Sequence, residues 1–131
     1  MNAEIIVSTL LSDSTVAAQV GTRRALGQLP QNTAMPAIVY QIVDGIPAPS
    51  LNYSASNLAQ ARVQINVLAA SIVQVKSIHA IVRAVMDFRH NTLVANKRVM
   101  SCRFALLGPM EKDNDAGIWI QPADYLLQYY E

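Results

Sequence analysis

The sequence predicts an α+β domain, with a mainly antiparallel sheet of about four to five strands packed against a long helix and an N-terminal helix. Apolar residues recur at helical spacing near the N-terminus and again from residue 72 onwards. Strand-like segments follow one another without a helix between them, which favours antiparallel pairing with helices on one face. The 131 residues are the length of one ordinary domain, so we expect a single domain over residues 1–131.

The N-terminal third combines helical segments with a strand that two prolines precede. The segment "AEIIVSTLLSD" carries apolar residues at the spacing of a helix face, and "STVAAQVGTR" predicts a second short helix ending near Gly21. Pro30 and Pro36 bias the residues before them towards extended backbone, so they fix the direction from which the chain reaches the strand "AIVYQIV". Asp44-Gly45 is typical of a turn and predicts the end of that strand.

Two further strands flank a long helix, and a strand-rich segment ends the chain. "ARVQINVLA" alternates, so Val63, Ile65 and Val67 are expected to face the core and the polar residues between them to face away. "RVMSCRFALLG" predicts the strand after the helix. A charged loop then leads to Gly117, and "IWIQ" and "DYLLQYY" predict one or two final strands.

The long helix has a clear start signal. Ser71 is the expected cap, and Gln74 three residues later completes a capping box. The helix is predicted to run to about Arg89, with His90 in or just beyond its last turn, where a cation is favourable. The residues expected mostly off its apolar stripe, towards solvent, are Lys76, His79, Arg83 and Asp87.

The sequence contains no recognisable motif for catalysis, phosphate binding or metal coordination. His79 and His90 would lie about 16 Å apart on a helix, so they cannot share a site within one chain. "EKDNDAG" departs from a calcium loop at its sixth and twelfth positions, which are Ala116 and Pro122. A single cysteine, Cys102, excludes an internal disulfide and is expected to be a buried small hydrophobe. We therefore predict no enzyme activity, no cofactor and no metal.

The composition favours self-association. Hydrophobic residues make up 52% of the chain and charged residues 15%, and the mean hydropathy is +0.22, whereas ordinary domains carry about 25% charge. An apolar surface that meets other subunits would explain this, as would a well-filled core rich in alanine and valine. No signal peptide and no apolar run of ~18 residues is recognisable, so we expect no membrane contact and assembly in the cytoplasm.

The charges are also unevenly distributed. Residues 83–103 hold five basic residues and one acidic residue, and residues 111–131 hold five acidic residues and one basic residue. Two unlike surfaces could meet head to tail in a ring, with Arg98 and Arg103 facing Glu111–Asp115 of a neighbour. An unevenly charged but simply solvated surface is the alternative, and the basic segment is too poor in aromatic residues to favour nucleic-acid binding.

Tyrosines cluster at the end of the chain. Tyr125, Tyr129 and Tyr130 follow Trp119, and Tyr40 lies in the first predicted strand. Tyrosine and tryptophan are favoured at subunit interfaces, where one side of the ring is apolar and the other wet. The alternative is that Tyr125 and Tyr129 share one buried face of the sheet, and both readings can hold.

The order of these segments resembles the small tail-completion, or tail-terminator, proteins of long-tailed bacteriophages and prophages. The resemblance runs through "VAAQVGTR", "LPQNTAMPAIVYQIVDG", "ARVQINVLA" and the helix from Ser71, and it weakens after Met110. It implies an α+β fold, no catalysis, and a ring, usually of six subunits, at the head-proximal end of the tail tube. Such a ring stops tube polymerisation and joins the tail to the head, with DNA passing through its lumen only as cargo.

The resemblance implies a component of the virion tail that is assembled in the bacterial cytoplasm. Its expected partners are other copies of the same chain, the tail tube protein and head–tail connector proteins. The polar, proline-rich loop from Ile46 to Ala59 is predicted to reach a neighbouring subunit or the tail tube. A cytosolic α+β domain that binds a small apolar ligand, possibly as a dimer, is the alternative function. The candidate contacts with another subunit or the tail tube are Arg23, Arg24, Pro30, Pro36, Tyr40, Pro47, Pro49, Tyr53, Arg98, Arg103, Glu111, Asp113 and Asp115.

Overall fold

A computed structural model describes residues 2–47, 58–87 and 89–130 of the chain. Three helices and seven strands occupy these residues. In chain order they are α1 (Asn2–Leu11), α2 (Ser14–Val20), β1 (Arg24–Leu26), β2 (Ala37–Pro47), β3 (Leu58–Ala69), α3 (Ile72–Met86), β4 (Arg89–Val94), β5 (Lys97–Leu107), β6 (Glu111–Asp113) and β7 (Ile118–Tyr130).

All seven strands belong to one sheet, in the order β1-β2-β3-β7-β5-β4, with β6 paired to β7. Only the pairing of β1 with β2 is parallel, and the other described pairings are antiparallel. The mixed helical and mainly antiparallel composition is therefore confirmed, but the expected four to five strands are too few. The three strands that the sequence reading missed are β1, β4 and β6.

The core lies between the helices and one face of the sheet, where α3 packs against β3, β5 and β7. The alternation of β3 is confirmed, since Val63, Ile65 and Val67 are fully buried. Tyr125 and Tyr129 of β7 are also fully buried and share this face. Burial of each such side chain stabilises the fold by roughly 1.5–3 kcal/mol relative to its exposure. Cys102 is buried as expected.

The opposite face of the sheet carries polar side chains that bond to one another across the strands. Arg62 Nε donates to Asp124 Oδ2 at 2.8 Å, and Gln41 Nε2 donates to Gln64 Oε1 at 2.8 Å. These residues occupy the positions of β2, β3 and β7 that point away from the core. The polar half of the alternation is therefore a hydrogen-bonded surface, as the sequence pattern of β3 indicated.

The beginning of the chain follows its predicted signals. Asp13 caps α2 by accepting the N–H of Thr15, and Gly21 ends it with a φ of 58° and an N–H donated to the carbonyl of Ala17. The predicted turn at Asp44-Gly45 is wrong, because β2 continues to Pro47 with only a shift of register towards β3 after Ile42. A bulge of this kind absorbs one residue without ending the strand.

The end of α3 differs from its prediction. Ser71 accepts the N–H of Gln74 at 3.2 Å, which confirms the cap, but the helix ends at Met86 rather than Arg89. Asp87 has an extended backbone, and its carboxylate accepts the N–H of Phe104 in β5 at 2.8 Å. This contact turns the chain into β4, so His90 lies in a strand and not in the last turn of the helix.

The final strand is a single element, although it contains a proline. Pro122 lies opposite Asn66 of β3, and its carbonyl accepts the N–H of Gly108 at 2.9 Å, where the chain passes from β5 to β6. The nitrogen and carbonyl of one residue point to the same edge of a strand. The side of Pro122 that lacks an N–H donor therefore faces the break between β5 and β6. No strand residue there needs a hydrogen bond from this position.

Candidate assembly interface

A cleft with two arginines lies at the β1 edge of the sheet. It has a volume of about 300 Å³ and brings together Arg23, Arg24 and Pro30, three of the residues that the sequence indicated as contacts. We call it the arginine cleft; its lining residues are Thr22, Arg23, Arg24, Ala25, Leu29, Pro30 and Thr33. The sequence reading assigned no element to the two arginines. In the structure Arg24 begins β1, whose parallel pairing with β2 fixes it at an edge, and the carbonyl of Arg23 accepts the N–H of Ile38 in β2 at 2.9 Å.

Main-chain carbonyls hold both guanidinium groups. Arg23 Nε donates to the carbonyl of Pro36 at 2.8 Å, and Arg24 Nε donates to the carbonyl of Gly21 at 3.1 Å. Among the described side chains, the ion pairs are those of Arg62 with Asp124 and Arg83 with Asp87, so neither cleft arginine has a carboxylate within 4.0 Å there. A guanidinium has five N–H donors. Both cleft arginines are thus positioned through Nε, and Arg23 also through Nη2, which donates to the carbonyl of Gln19 at 3.5 Å. Both retain further donors and a charge that no described carboxylate neutralises.

The segment between β1 and β2 explains why two prolines precede the strand. Pro30 lines the arginine cleft and its carbonyl accepts the hydroxyl of Thr33. Pro36 follows a cis peptide bond after Met35, and its carbonyl is the acceptor for Arg23. The proline-containing segment therefore does more than orient β2, because it supplies a wall of the cleft and one of its arginine anchors.

An acidic hairpin lies at the opposite edge of the sheet from the arginine cleft. β6 pairs with the first residues of β7, and the connecting turn spans residues 114–117. Glu111, Asp113 and Asp115 are all exposed, as a charged hairpin tip was expected to be. Asp113 Oδ1 accepts the N–H groups of Asp115 at 3.1 Å and Ala116 at 3.3 Å, which fixes the turn. We call residues 111–117 the acidic hairpin.

The strand register places these two features at the same end of the sheet. Arg24 pairs with Ile38, Ile38 with Val67, and Val67 with Gln121. Glu111 pairs with the neighbouring Ile120 on the far side of β7. The cleft and the hairpin are thus about four strand spacings apart, or roughly 19 Å at ~4.8 Å per strand. They mark opposite edges and cannot pair within one chain.

The structure separates the other predicted basic residues from the acidic hairpin. Arg98 lies at the β4–β5 turn, where its Nη1 donates to Asn91 Oδ1 at 2.6 Å. Val99, next to Arg98, lies opposite Tyr129 of β7, and Glu111 lies opposite Ile120, so Arg98 and Glu111 are roughly 30 Å apart along the strands at ~3.3 Å per residue. Arg103 is exposed in the middle of β5. Neither arginine meets the hairpin in the same chain, so the predicted pairing between subunits stays a prediction.

The remaining predicted contacts have mixed positions. Tyr40 faces the core and is only 8% exposed, so its ring is largely unavailable to a partner. Tyr130, in contrast, is 40% exposed at the end of β7. Pro47 is the last residue of β2. Pro49 and Tyr53 lie outside the described residues, as does most of the predicted Ile46–Ala59 loop.

A second cavity, of about 200 Å³, contains a buried histidine that the sequence reading misplaced. Its lining residues are His79, Ala80, Arg83, Phe104, Leu107 and Tyr125. His79 is 8% exposed instead of lying on the helix surface. The spacing held the signal, because His79 is four residues after Val75 and three before Val82, which places it on the buried stripe. Its neutral imidazole fits there because the Gln121 carbonyl lies 2.7 Å from Nε2.

Burial favours the neutral forms of two titratable groups in this cavity, His79 and Tyr125. Burial lowers the pKa of His79, although its bond to the Gln121 carbonyl opposes the shift, and burial raises the pKa of Tyr125. Both groups are therefore neutral near pH 7. Within the described residues, His79 Nδ1 and Tyr125 Oη are buried without a hydrogen-bond partner. The described ranges also contain no group of three side chains able to hold a metal ion.

Comparisons with known proteins give a family match and a structural match. Residues 4–107 match the family of the tail completion protein gp17. A chain of the solved structure titled "Virion of native gene transfer agent (GTA) particle" has the same fold, with a TM-score of 0.72 and 15% sequence identity. The alignment covers 98% of this chain and 97% of that one. No curated protein sequence gives a significant match. Over residues 2–47, 58–87 and 89–130, the helices are too short or too polar to cross a membrane.

Proposed function

Because this chain belongs to the family of the tail completion protein gp17, we propose that it forms a ring at the head-proximal end of a phage or prophage tail tube. Membership of the family, which covers residues 4–107, confirms the resemblance seen in the sequence and gives the protein a structural role in the virion tail. The ring, the termination of tail polymerisation and the joining of tail to head are the proposed parts.

The observation that carries the proposal is the arrangement of charge at one end of the sheet. The arginine cleft lies at the β1 edge, and the acidic hairpin lies beyond β7 at the opposite edge. Two unlike surfaces of this kind favour a heterologous contact, in which each subunit uses one surface towards each neighbour. A repeated heterologous contact produces a ring where its rotation closes and an open filament where it does not. The family resemblance favours closure.

The resemblance supplies the expected size and partners of this ring. Six subunits are usual, with the tail tube protein on one side and head–tail connector proteins on the other, and DNA crosses the lumen only as cargo. The gene transfer agent chain with the same fold is, by its title, part of a virion. That a chain with the same fold is part of another virion supports the proposal that this one serves in an assembly of the same general kind.

The alternative function, a small-ligand domain, finds less support. The cavity beside α3 has space for a small apolar group, but His79 Nδ1 and Tyr125 Oη are buried away from solvent. A ligand site needs polar groups that converge on the ligand to fix its orientation. The two unpartnered atoms are not exposed to a ligand in that cavity, so we adopt the structural role.

The proposal is tested by the mass of the purified protein in solution. Light scattering over a wide range of protein concentration, at low and high salt, should show a closed species near six times the 14.3 kDa subunit. High salt should weaken it, because salt screens exposed charge pairs. If only a monomer is present, purified tail tube protein is added. A monomer that neither assembles alone nor associates with tail tubes would refute the proposal.

A further inference from the structure

We propose that the acidic hairpin of one copy docks into the arginine cleft of the next copy, and that this contact is the repeating interface of the ring. The inference rests on the proposed ring and specifies its contact surfaces. Glu111 and Asp113 of the hairpin supply the carboxylates, and Arg23 and Arg24 of the cleft supply the guanidinium groups. The occupant of the cleft is therefore a second copy of this chain.

The cleft is prepared for carboxylates before any partner arrives. Arg23 is held at Pro36 and Arg24 at Gly21 through main-chain carbonyls, so each side chain loses less conformational freedom on binding. A guanidinium and a carboxylate form charge-assisted hydrogen bonds with matching planar geometry. The cleft, at about 300 Å³, is open enough to receive side chains rather than a whole element. An exposed carboxylate on a narrow hairpin is the type of group that it fits.

The hairpin presents its carboxylates in a matching arrangement. Residues two apart on a strand point to the same side, so Glu111 and Asp113 share one face of β6, about 7 Å apart. Asp113 Oδ1 is held by the N–H groups of Asp115 and Ala116, so Asp113 offers its Oδ2 to a partner. Lys112 is on the other face, with its Nζ 5.4 Å from the centroid of the Trp119 ring. The basic residue of the hairpin is thus directed away from the two carboxylates. One face of β6 is purely acidic.

The positions of the two surfaces also suit repeated contact. β1 and β6 are outer strands at the same end of the sheet, on opposite sides of β2, β3 and β7. A neighbour placed beside the β1 edge can present its own β6 edge, and the next neighbour repeats the step. Arg98 is the alternative basic partner, but it lies at the other end of β5 and is bonded to Asn91. The arginine cleft is therefore the better complement to the hairpin.

Charge reversal and charge exchange test this interface. Arg24→Glu and Glu111→Lys are each expected to weaken assembly at low salt by at least about tenfold, because close charge pairs at interfaces couple by roughly 1.5 kcal/mol or more. The combined variant Arg24→Glu/Glu111→Lys restores opposite charges across the contact, so its assembly should recover. Lys76→Glu, at an exposed basic residue of α3 outside both surfaces, is the matched control and should assemble within about twofold of wild type. Arg98→Glu/Arg103→Glu tests the rival pairing of those arginines with the hairpin. Circular dichroism at low protein concentration confirms that each variant is folded.

The outcomes separate this inference from the proposed function. If wild type assembles and both single reversals leave its assembly unchanged, the inference is wrong while the ring stands. The same holds if the charge exchange assembles no better than the single variants, or if only the Arg98→Glu/Arg103→Glu variant loses assembly. If wild type assembles neither alone nor with tail tube protein, the proposed ring and the inference both fail.

Discussion

The carboxylate of Asp87 joins the end of α3 to the sheet, and its removal should destabilise the protein strongly. Its side chain is 4% exposed. Oδ1 accepts the N–H of Phe104 at 2.8 Å, and Oδ2 accepts Arg83 Nε at 3.1 Å. Asp87→Ala removes these two bonds and leaves the Phe104 N–H, which lies beyond the end of the β4–β5 pairing and is partly buried, without its acceptor.

The two bonds contribute unequally to the expected loss. Hydrogen bonds to charged groups contribute about 1.5–3 kcal/mol each, and an unpaired buried N–H costs about 1–3 kcal/mol. The Arg83 side chain is 53% exposed, so solvent reduces the contribution of its pair with Asp87 to below about 1 kcal/mol. Most of the effect therefore comes from the Phe104 N–H. We expect Asp87→Ala to lower the free energy of unfolding by about 3 kcal/mol.

Urea denaturation followed by circular dichroism measures this change, provided that the dependence on urea concentration stays constant between variants. Arg83→Gln is the matched control, because it removes the ion pair but leaves the Phe104 N–H bonded to Asp87. The loss of the ion pair in Arg83→Gln should lower the free energy of unfolding by less than about 1 kcal/mol. The variant also loses the contact of the guanidinium carbon with the Phe104 ring, whose centroid lies 4.3 Å away, and this adds a separate small loss. A loss below 1 kcal/mol for Asp87→Ala, or an equal loss in both variants, would refute the reasoning.

Two further predictions concern Gly108 and His79. A Cβ at Gly108 would lie 2.6 Å from Pro122 Cγ, so Gly108→Ala should lower the free energy of unfolding by about 1–3 kcal/mol in urea denaturation. Pro122→Ala in the same chain should recover part of that loss, and a purely additive double variant would contradict this account. Because burial lowers the pKa of His79 from 6.5, the unfolded chain binds its proton first as the pH falls. Stability should therefore decrease below about pH 6.5, by at most ~1.4 kcal/mol per pH unit, and His79→Gln should lack this part of the decrease. Identical pH slopes for wild type and His79→Gln between pH 7 and 5 would contradict the prediction.

Local signals in the sequence determined the elements that carry their own pattern. Ser71 caps α3 and Gly21 ends α2 because the satisfaction of terminal N–H and carbonyl groups is a local matter. The alternation of β3 fixed which side chains are buried, since period-two spacing has only one amphipathic solution. The tyrosines Tyr125 and Tyr129 followed the same rule. The order of these segments was also sufficient to indicate the family.

Short elements and edges were decided by the tertiary structure. The three missed strands, β1, β4 and β6, have only three to six residues each. Segments this short do not show a recognisable alternation of apolar and polar residues. They form strands because a longer strand pairs with each of them. Helix α3 ends at Met86 and not at Arg89 because the side chain of Asp87 accepts the backbone N–H of Phe104 in β5, seventeen residues away.

The distribution of charge was also determined partly by the sequence and partly by the tertiary structure. The sequence by itself determined that residues 83–103 are basic and residues 111–131 acidic. It could not show that Arg23 and Arg24 share a cleft, nor that this cleft and Glu111–Asp113 lie at opposite edges of one end of the sheet. Strand order and register, which depend on long-range pairing and not on local pattern, fixed that arrangement.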